Sequence, residues 1–535
     1  MASQNSYSSL NSIVVNKFNE IAQKDDIPWR SGIVVLVGTL YVLSALREYV
    51  TGTKVPLVGR ASVFEPLFIS NFRFLNNAQK IVGDGYAKFK NRTFKYNRAD
   101  GEILVLPARY VNDLRNVPRS TADQTRAQLH NFMGHQLNLE VIIRNKLYFR
   151  VLQEKVTPNL NNLTAPMQDE LNYAMANDKE FPMSEDEWMP VKPSHMILDV
   201  VARISARIFV GLPMCRNKQW LEISIKFTES IFLYAITMRL LPFGLHKFLS
   251  LINPNAWKAA SYVRQAKQLL VPEVERRGQK IQAGEEKGSD HQNILSWMIE
   301  IGKEDETSPS DLAHLEVILS MVSIHALETN VVQTLYDLGA HPEYIQPLRE
   351  EILQVIKENG PWMQWKKTAF VKLRLLDSLM KESQRLNPPN ILAYHRMMRK
   401  DLKLSDGTVL RSGSHTCMAI NSIQNDPENT SDPEVFDGYR YYTMRKRENE
   451  EHLHQFATTD PKSLHFGHGI YACPGRFFAS LEIKIILIRL IMDYDFKFPE
   501  GQGRPENLTA YEYIFPNPEG VLLMKRRKAG ERLQL

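Results

Sequence analysis

The sequence predicts a mainly α-helical protein with small β-sheets, preceded by an N-terminal transmembrane helix. Three observations lead there. The run VILSMVSIHAL, between Glu316 and Glu328, is uncharged and apolar on every side, the pattern of a helix through the centre of a large domain. RFFASLEIKIILIRLIM (476–492) reads as a second long apolar-periodic helix. Strand signals are short and scattered, and a further uncharged run occupies residues 31–46.

Residues 1–30 form an N-terminal segment in which Leu10, Ile13, Val14, Phe18 and Ile21 keep helical spacing. SGIVVLVGTLYVLSAL (31–46) is the expected anchor. A spanning helix wants about 20 apolar residues, so this one is short, and Arg30 and Arg47 would snorkel beside Trp29 and Tyr49. Asp25 and Asp26 precede it and no small-residue cleavage site follows, which argues against a removable signal peptide. Arg47, Lys54 and Arg60 come next, so the positive-inside tendency places the C-terminal part in the cytosol, single-pass from the endoplasmic reticulum membrane. Residues 47–60, with Pro56 and Gly59, form a hinge, and residues 61–535 form the main domain.

Within that domain EILVLPA (102–108) reads as a strand, and DLKLSDGTVLRSG (401–413) as two strands about an Asp406-Gly407 turn. The central helix is expected from Asp311 to Leu338, capped by Ser310 and stopped at Gly339. An amphipathic helix follows from Pro342 to Asn359-Gly360.

Composition narrows the function classes. With 43% hydrophobic and 24% charged residues the chain can bury a sizeable core. A net charge of +6 without a dense Lys/Arg block suits an acidic protein partner or an anionic membrane surface, and not nucleic acid. Cys215, Cys417 and Cys473 are too few for a disulfide framework, which points to a reducing compartment.

One of these cysteines carries chemistry. FGHGIYACPGR (466–476) surrounds Cys473 with Gly467, Gly469 and Gly475 and leads directly into the helix at 476. The glycines let the backbone come close to something large or flat. A helix N-terminus favours thiolate, the form that ligates metals. One cysteine cannot build a four-ligand zinc site, but a single thiolate suits the axial ligand of haem iron.

The stretch Phe466-Gly467-His468-Gly469-Ile470-Tyr471-Ala472-Cys473-Pro474-Gly475 resembles the cysteine-ligand loop of the cytochrome P450 family, F-G-x-G-x-R-x-C-x-G. It departs at one place: Tyr471 stands where that family usually has an Arg or His on a haem propionate. A tyrosine hydroxyl donates a hydrogen bond but brings no charge, so propionate pairing is expected to be weaker or supplied from elsewhere. KESQR carries Glu382 and Arg385 at i, i+3. In the family such a pair joins a second arginine from a segment like F-x-P-x-R-F, here FDGYRY with Phe436 and Arg440, and Gly438 in the proline position. Arg396 falls where the family often places another propionate-binding arginine.

The resemblance implies the cytochrome P450 fold, with 61–535 as a haem-thiolate catalytic domain. It implies haem b held by Cys473, Phe466, Gly467, Gly469, Tyr471, Gly475 and Arg396, with Cys473 as the axial ligand of the iron. It also implies a structural network of Glu382, Arg385 and Arg440. Electrons would come from an NADPH-dependent cytochrome P450 reductase docked near Arg144, Lys146, Arg150 and Arg476. The substrate would be a small lipophilic secondary metabolite, a terpenoid or polyketide-type skeleton, with Leu327 and Ile391-Leu392-Ala393 as pocket candidates. The run from His454 to the helix after Cys473 is especially similar to fungal secondary-metabolite members, including gibberellin-type diterpene oxidases. The histidines His452, His454, His465 and His468 are expected to be loop residues, not a second metal site.

The oxygen-activating helix of that family carries an acid–alcohol pair over the iron. Two registers meet that pattern here. In one, Glu328 and Thr329 are the pair, with Ala326 in the glycine position. In the other, aligned on Ile324-His325, Leu335-Tyr336-Asp337-Leu338 and His341-Pro342-Glu343-Tyr344, Ala326 and Leu327 replace a Thr-Thr pair. Glu328 and Thr329 then sit about 100–200° further round the helix. The second register implies an apolar distal side, and with it an outcome such as desaturation or rearrangement, or a redox-neutral isomerase or dehydratase. A haem-binding sensor is the reading outside enzymes.

Overall fold

The computed structural model describes residues 53–61, 65–98, 100–241, 243–285 and 291–533, with positions 38, 39 and 42 besides. Segment 1–30 lies outside the described residues, as does the anchor 31–46 apart from those three positions. Residues 56–61 and those from Leu67 onward form a single unit.

Among the described residues, nine helices exceed ten residues: α1 (Leu67–Phe89), α2 (Leu160–Asn177), α3 (Pro193–Phe209), α4 (Lys218–Arg239), α5 (Pro254–Gln282), α6 (Pro309–Ala340), α7 (Ile345–Asn359), α8 (Arg374–Leu386) and α9 (Arg476–Asp493). The apolar run around 317–327 decides their arrangement. A helix with no polar face must be covered all round, and α6 packs against α3, α4, α5, α8 and α9. Among the described residues it is also the one helix long and apolar enough to cross a membrane, and it is mostly buried.

The ends of α6 differ from expectation. It starts two residues earlier, with Pro309 at the first position after Ser308, because proline has no N–H to lose there. Gly339 lies inside the last turn. A Cβ there would come 3.0 Å from the Phe498 ring, so this glycine serves close packing rather than termination. The helix ends instead before Pro342, which cannot continue it. Pro342–Tyr344 form a 3-10 turn, and α7 closes at Gly360, whose φ of +82° is open to glycine.

The main sheet has five strands: β1 (Phe94–Arg98), β2 (Gly101–Val105), β3 (Ala122–Asp123), β4 (Ala393–Met398) and β5 (His415–Met418), in the order β1-β2-β5-β4-β3. β2 and β5 run parallel and the other pairs antiparallel. The strand expected at 102–108 is thus the second arm of a hairpin. The Asp406-Gly407 turn joins Leu402–Lys403 to Val409–Leu410. The hinge is less free than its composition suggests. Pro56 and Val58 exchange backbone hydrogen bonds with Lys95, so this stretch runs beside β1.

Buried polar groups fasten these parts together. Glu512 is buried and takes Arg239 Nη1, from the end of α4, at 3.0 Å, while its backbone oxygen receives Ile391 N–H. Arg98 of β1 pairs with Asp100 at 2.8 Å. On the other side Asp337 of α6 accepts Ser383 Oγ of α8 and Arg504 Nε at 2.5 and 2.6 Å.

Candidate haem-thiolate site

The Cys473 loop is a short 3-10 turn (Gly469–Tyr471) clamped at several points. Cys473 N–H donates to Phe466 O at 2.7 Å, closing the loop on itself, and Ile470 N–H donates to Arg115 O at 3.0 Å, docking it on a neighbouring segment. Two glycines make this possible. Gly469 has φ +74°, and a Cβ there would lie 2.2 Å from Arg115 O; Gly467 has φ +68°. Phe466 stacks edge-on with Phe456 at 5.3 Å, fixing the start of the loop.

Gly475 is the N-cap of α9, which places Cys473 at the helix N-terminus. The N–H groups of Gly475 and Arg476 open α9 beside Cys473, with the Arg476 N–H donating to the Cys473 carbonyl at 3.4 Å. Burial pushes this thiol up, while those donors and the Arg476 charge oppose the shift. A coordinated metal cation would displace the proton outright. Cys215 and Cys417 are buried, and burial pushes Cys215 up to about 12 and Cys417 higher still, so neither offers a thiolate.

The charge network lies on α8. Glu382 and Arg385 of α8 are fully buried and form a two-pronged pair at 2.7 and 2.8 Å. Arg440 Nε reaches Glu382 Oε2 at 3.1 Å. Arg385 also donates to Asn425 Oδ1 and to the carbonyls of Pro433 and Val435, and Arg440 to those of Ser431 and Val435. The network therefore holds the 431–440 segment onto α8. Gly438 has a local reason: Tyr344 packs against it, its hydroxyl accepts Gly438 N–H at 3.1 Å, and a Cβ would come within 2.7 Å of the ring.

The cytochrome P450 family model matches residues 142–524. The chain belongs to the cytochrome P450 family. Known proteins similar to it include the cytochrome P450 monooxygenase AN1598 of Emericella nidulans, 42% identical over 496 residues that make up 92% of each chain. The cytochrome P450 monooxygenase paxP of Penicillium paxilli is 37% identical over 505 residues, 93% of this chain and 95% of that one. An ent-kaurene oxidase of Gibberella intermedia is 35% identical over 491 residues, 91% and 90% of the two chains.

A cytochrome P450 implies haem, and the residues present fit it. Arg396 is 1% exposed, yet only Nη1 has a partner, the His395 carbonyl; Nε and Nη2 have none. A buried cation with two unused donors is costly unless an anion meets it, and haem carries two carboxylates on one edge. With the Cys473 sulfur at the start of α9 and the glycine-lined loop, Arg396 would hold the group in place.

On α6 the structure separates residues that the sequence leaves together. Most of the helix is covered, but Val322 is 55% exposed and Ala326, one turn on, is exposed too. These two mark the open face. Glu328 and Thr329 are buried away from it, with Thr329 Oγ1 3.4 Å from Glu328 Oε2 and Ser194 of α3 beside them. Burial pushes Glu328 up to about 7. The reason is geometric: they lie two and three residues beyond Ala326, rotated off its stripe. Leu327, Ile391 and Leu392 are core residues rather than exposed pocket lining, the last two packed with Phe74, Tyr96 and Tyr511; Ala393 is partly open.

Other expected residues are more engaged than their charges suggest. Arg144 pairs with Asp311 at 2.7 Å and Arg150 with Glu306 at 2.8 Å. Lys146 Nζ donates to Ile142 O, and burial pulls it down to about 8. Arg476 donates to the Cys473 carbonyl at 2.9 Å. His454 pairs with Glu450, His468 contacts Thr459, and burial pulls His465 down to about 3. Two neighbours of the loop carry no sequence signal at all: Arg115, whose carbonyl docks it, and Arg119, which lies over Tyr471.

Proposed function

We propose that this enzyme is an NADPH- and O2-dependent monooxygenase that oxidises a lipophilic terpenoid or polyketide-type secondary metabolite. One observation carries the reading. Cys473 is presented at the N-terminus of α9, in a loop closed by its own N–H on Phe466 O, beside a buried arginine that lacks an anion. The similarity to an ent-kaurene oxidase supports a terpenoid substrate. NADPH would act through a reductase, and the 31–46 run would anchor the protein to the endoplasmic reticulum membrane with its catalytic domain in the cytosol.

When bound, haem supplies dioxygen activation and oxygen insertion. The chain's own residues set the conditions. The N-terminus of α9 and the Arg476 charge favour negative charge on the Cys473 sulfur, against the burial that pushes the thiol up. The Glu382–Arg385–Arg440 network holds the 431–440 segment onto α8. Val322 and Ala326 offer an apolar face that orients a hydrophobic substrate and carries no hydroxyl to pass a proton. That face favours the register in which Ala326 occupies the alcohol position. It also supports a second reading, an outcome such as desaturation or rearrangement in place of simple hydroxylation.

The test is expression with a reductase in yeast and profiling of diterpene and related skeletons for mass change. A gain of one oxygen that needs NADPH supports the main reading. A loss of two hydrogens supports the second. Turnover without NADPH or oxygen contradicts both and points to a redox-neutral isomerase or dehydratase.

A further inference from the structure

Tyr471 is the position at which the Cys473 loop departs from the family pattern, and its surroundings explain the departure. The Arg396 guanidinium lies 4.6 Å from the centroid of the Tyr471 ring and 4.2 Å from that of Tyr394. A second guanidinium, Arg119, lies 5.8 Å from the Tyr471 ring and 4.8 Å from that of Phe149. The hydroxyl of Tyr471 is buried and has no hydrogen-bond partner. What the residue presents to its neighbours is therefore its ring, with a cation on each of two contacts. An aromatic ring attracts such cations, whereas a third guanidinium at 471 would repel both.

The segment that bears Arg119 is held at both ends. Arg115 O accepts Ile470 N–H of the Cys473 loop at 3.0 Å, and Thr121 O accepts Arg399 N–H, just beyond β4, at 2.7 Å. Ala122 then pairs with Met398 in the sheet. The positive charge here is poorly balanced. Lys146 feels both Arg119 and Arg126, and the one acid that acts on this cluster, Asp123, caps a helix through Arg126 N–H and pairs with the Arg126 side chain.

We propose that Arg119 is the second cation for the carboxylate edge of haem, replacing the charge missing at position 471, and that Tyr471 is a positioning residue whose ring holds Arg119 and Arg396 in place. This rests on the haem-thiolate reading above. It differs from a direct Tyr471 hydrogen bond to the cofactor, because the working part is the ring and not the hydroxyl.

The experiment measures haem transfer from the purified holoenzyme to excess apomyoglobin, with the ferrous–carbonyl spectrum recorded beforehand. Arg119→Met is expected to release haem about tenfold faster than wild type, the size of one lost charge-assisted hydrogen bond. Tyr471→Leu should act similarly, while Tyr471→Phe should stay within about twofold because it keeps the ring. Adding Tyr471→Arg to Arg119→Met should restore slow release, since a cation returns where the family usually has one; that rescue separates a lost contact from a damaged fold. Wild-type retention in Arg119→Met would overturn the proposal, and so would Tyr471→Phe releasing haem as fast as Tyr471→Leu. A wild-type protein with no thiolate-type Soret band would instead overturn the haem-thiolate reading itself.

Discussion

Glu382 takes Arg385 Nη2 on one carboxylate oxygen at 2.7 Å and Nε on the other at 2.8 Å, with both side chains sealed from solvent. Breaking one half of a buried pair strands the other charge, at a cost of about 3–5 kcal/mol. Glu382→Ala and Arg385→Ala should each lower unfolding stability by that amount in denaturant titrations. The double substitution should cost clearly less than the sum.

Gly438 gives a sharper local test. Its Cα faces the Tyr344 ring so closely that a Cβ would sit 2.7 Å from it. Gly438→Ala should destabilise by about 1–3 kcal/mol through overpacking. Much of the loss should return in Gly438→Ala with Tyr344→Ala, read as thermal midpoints.

The two registers of α6 predict opposite outcomes for two substitutions. Ala326→Thr places a hydroxyl on the open face and should change the ratio of peroxide released to NADPH consumed. Thr329→Ala removes a buried hydroxyl 3.4 Å from Glu328 and should leave that ratio alone, costing about 1 kcal/mol of stability. Coupling that responds to Thr329→Ala and not to Ala326→Thr would return the catalytic role to Glu328 and Thr329.

Stability should also respond to pH through Glu482 of α9. Burial pushes this carboxyl from 4.5 up to about 8, with Ser205 Oγ 3.0 Å away on α3. The folded state therefore holds a proton that the unfolded state gives up. This contribution is fully present below about pH 4.5 and is lost as pH rises through about 8. Glu482→Gln should flatten that decline, which amounts to about 1.4 kcal/mol per pH unit in between. Urea midpoints between pH 5 and pH 8 measure it, and equal slopes in the two proteins would contradict the assignment.

Where chemistry is local in sequence, it was legible. The Cys473 loop needs its glycines, its cysteine and the following helix within a few residues, and Glu382 meets Arg385 across one helical turn. What depended on phase or distance was not. An all-apolar helix has no polar stripe to show its rotation, so only the fold turns Ala326 outward and Glu328 inward. Arg119 reaches Tyr471 from a segment hundreds of residues away, with no motif to announce it. Gly339 looks like a helix stop in sequence because close packing against Phe498 leaves the same residue behind.

The central claim is that Cys473, at the N-terminus of α9, is the thiolate ligand of a haem iron. The ferrous–carbonyl difference spectrum of the purified protein tests it most directly, with Cys473→Ala as the control. The wild type should show the red-shifted Soret band of thiolate ligation, and the variant should lose it while keeping its helical circular dichroism. A wild-type spectrum without that band, or a band that survives in Cys473→Ala, would contradict the claim.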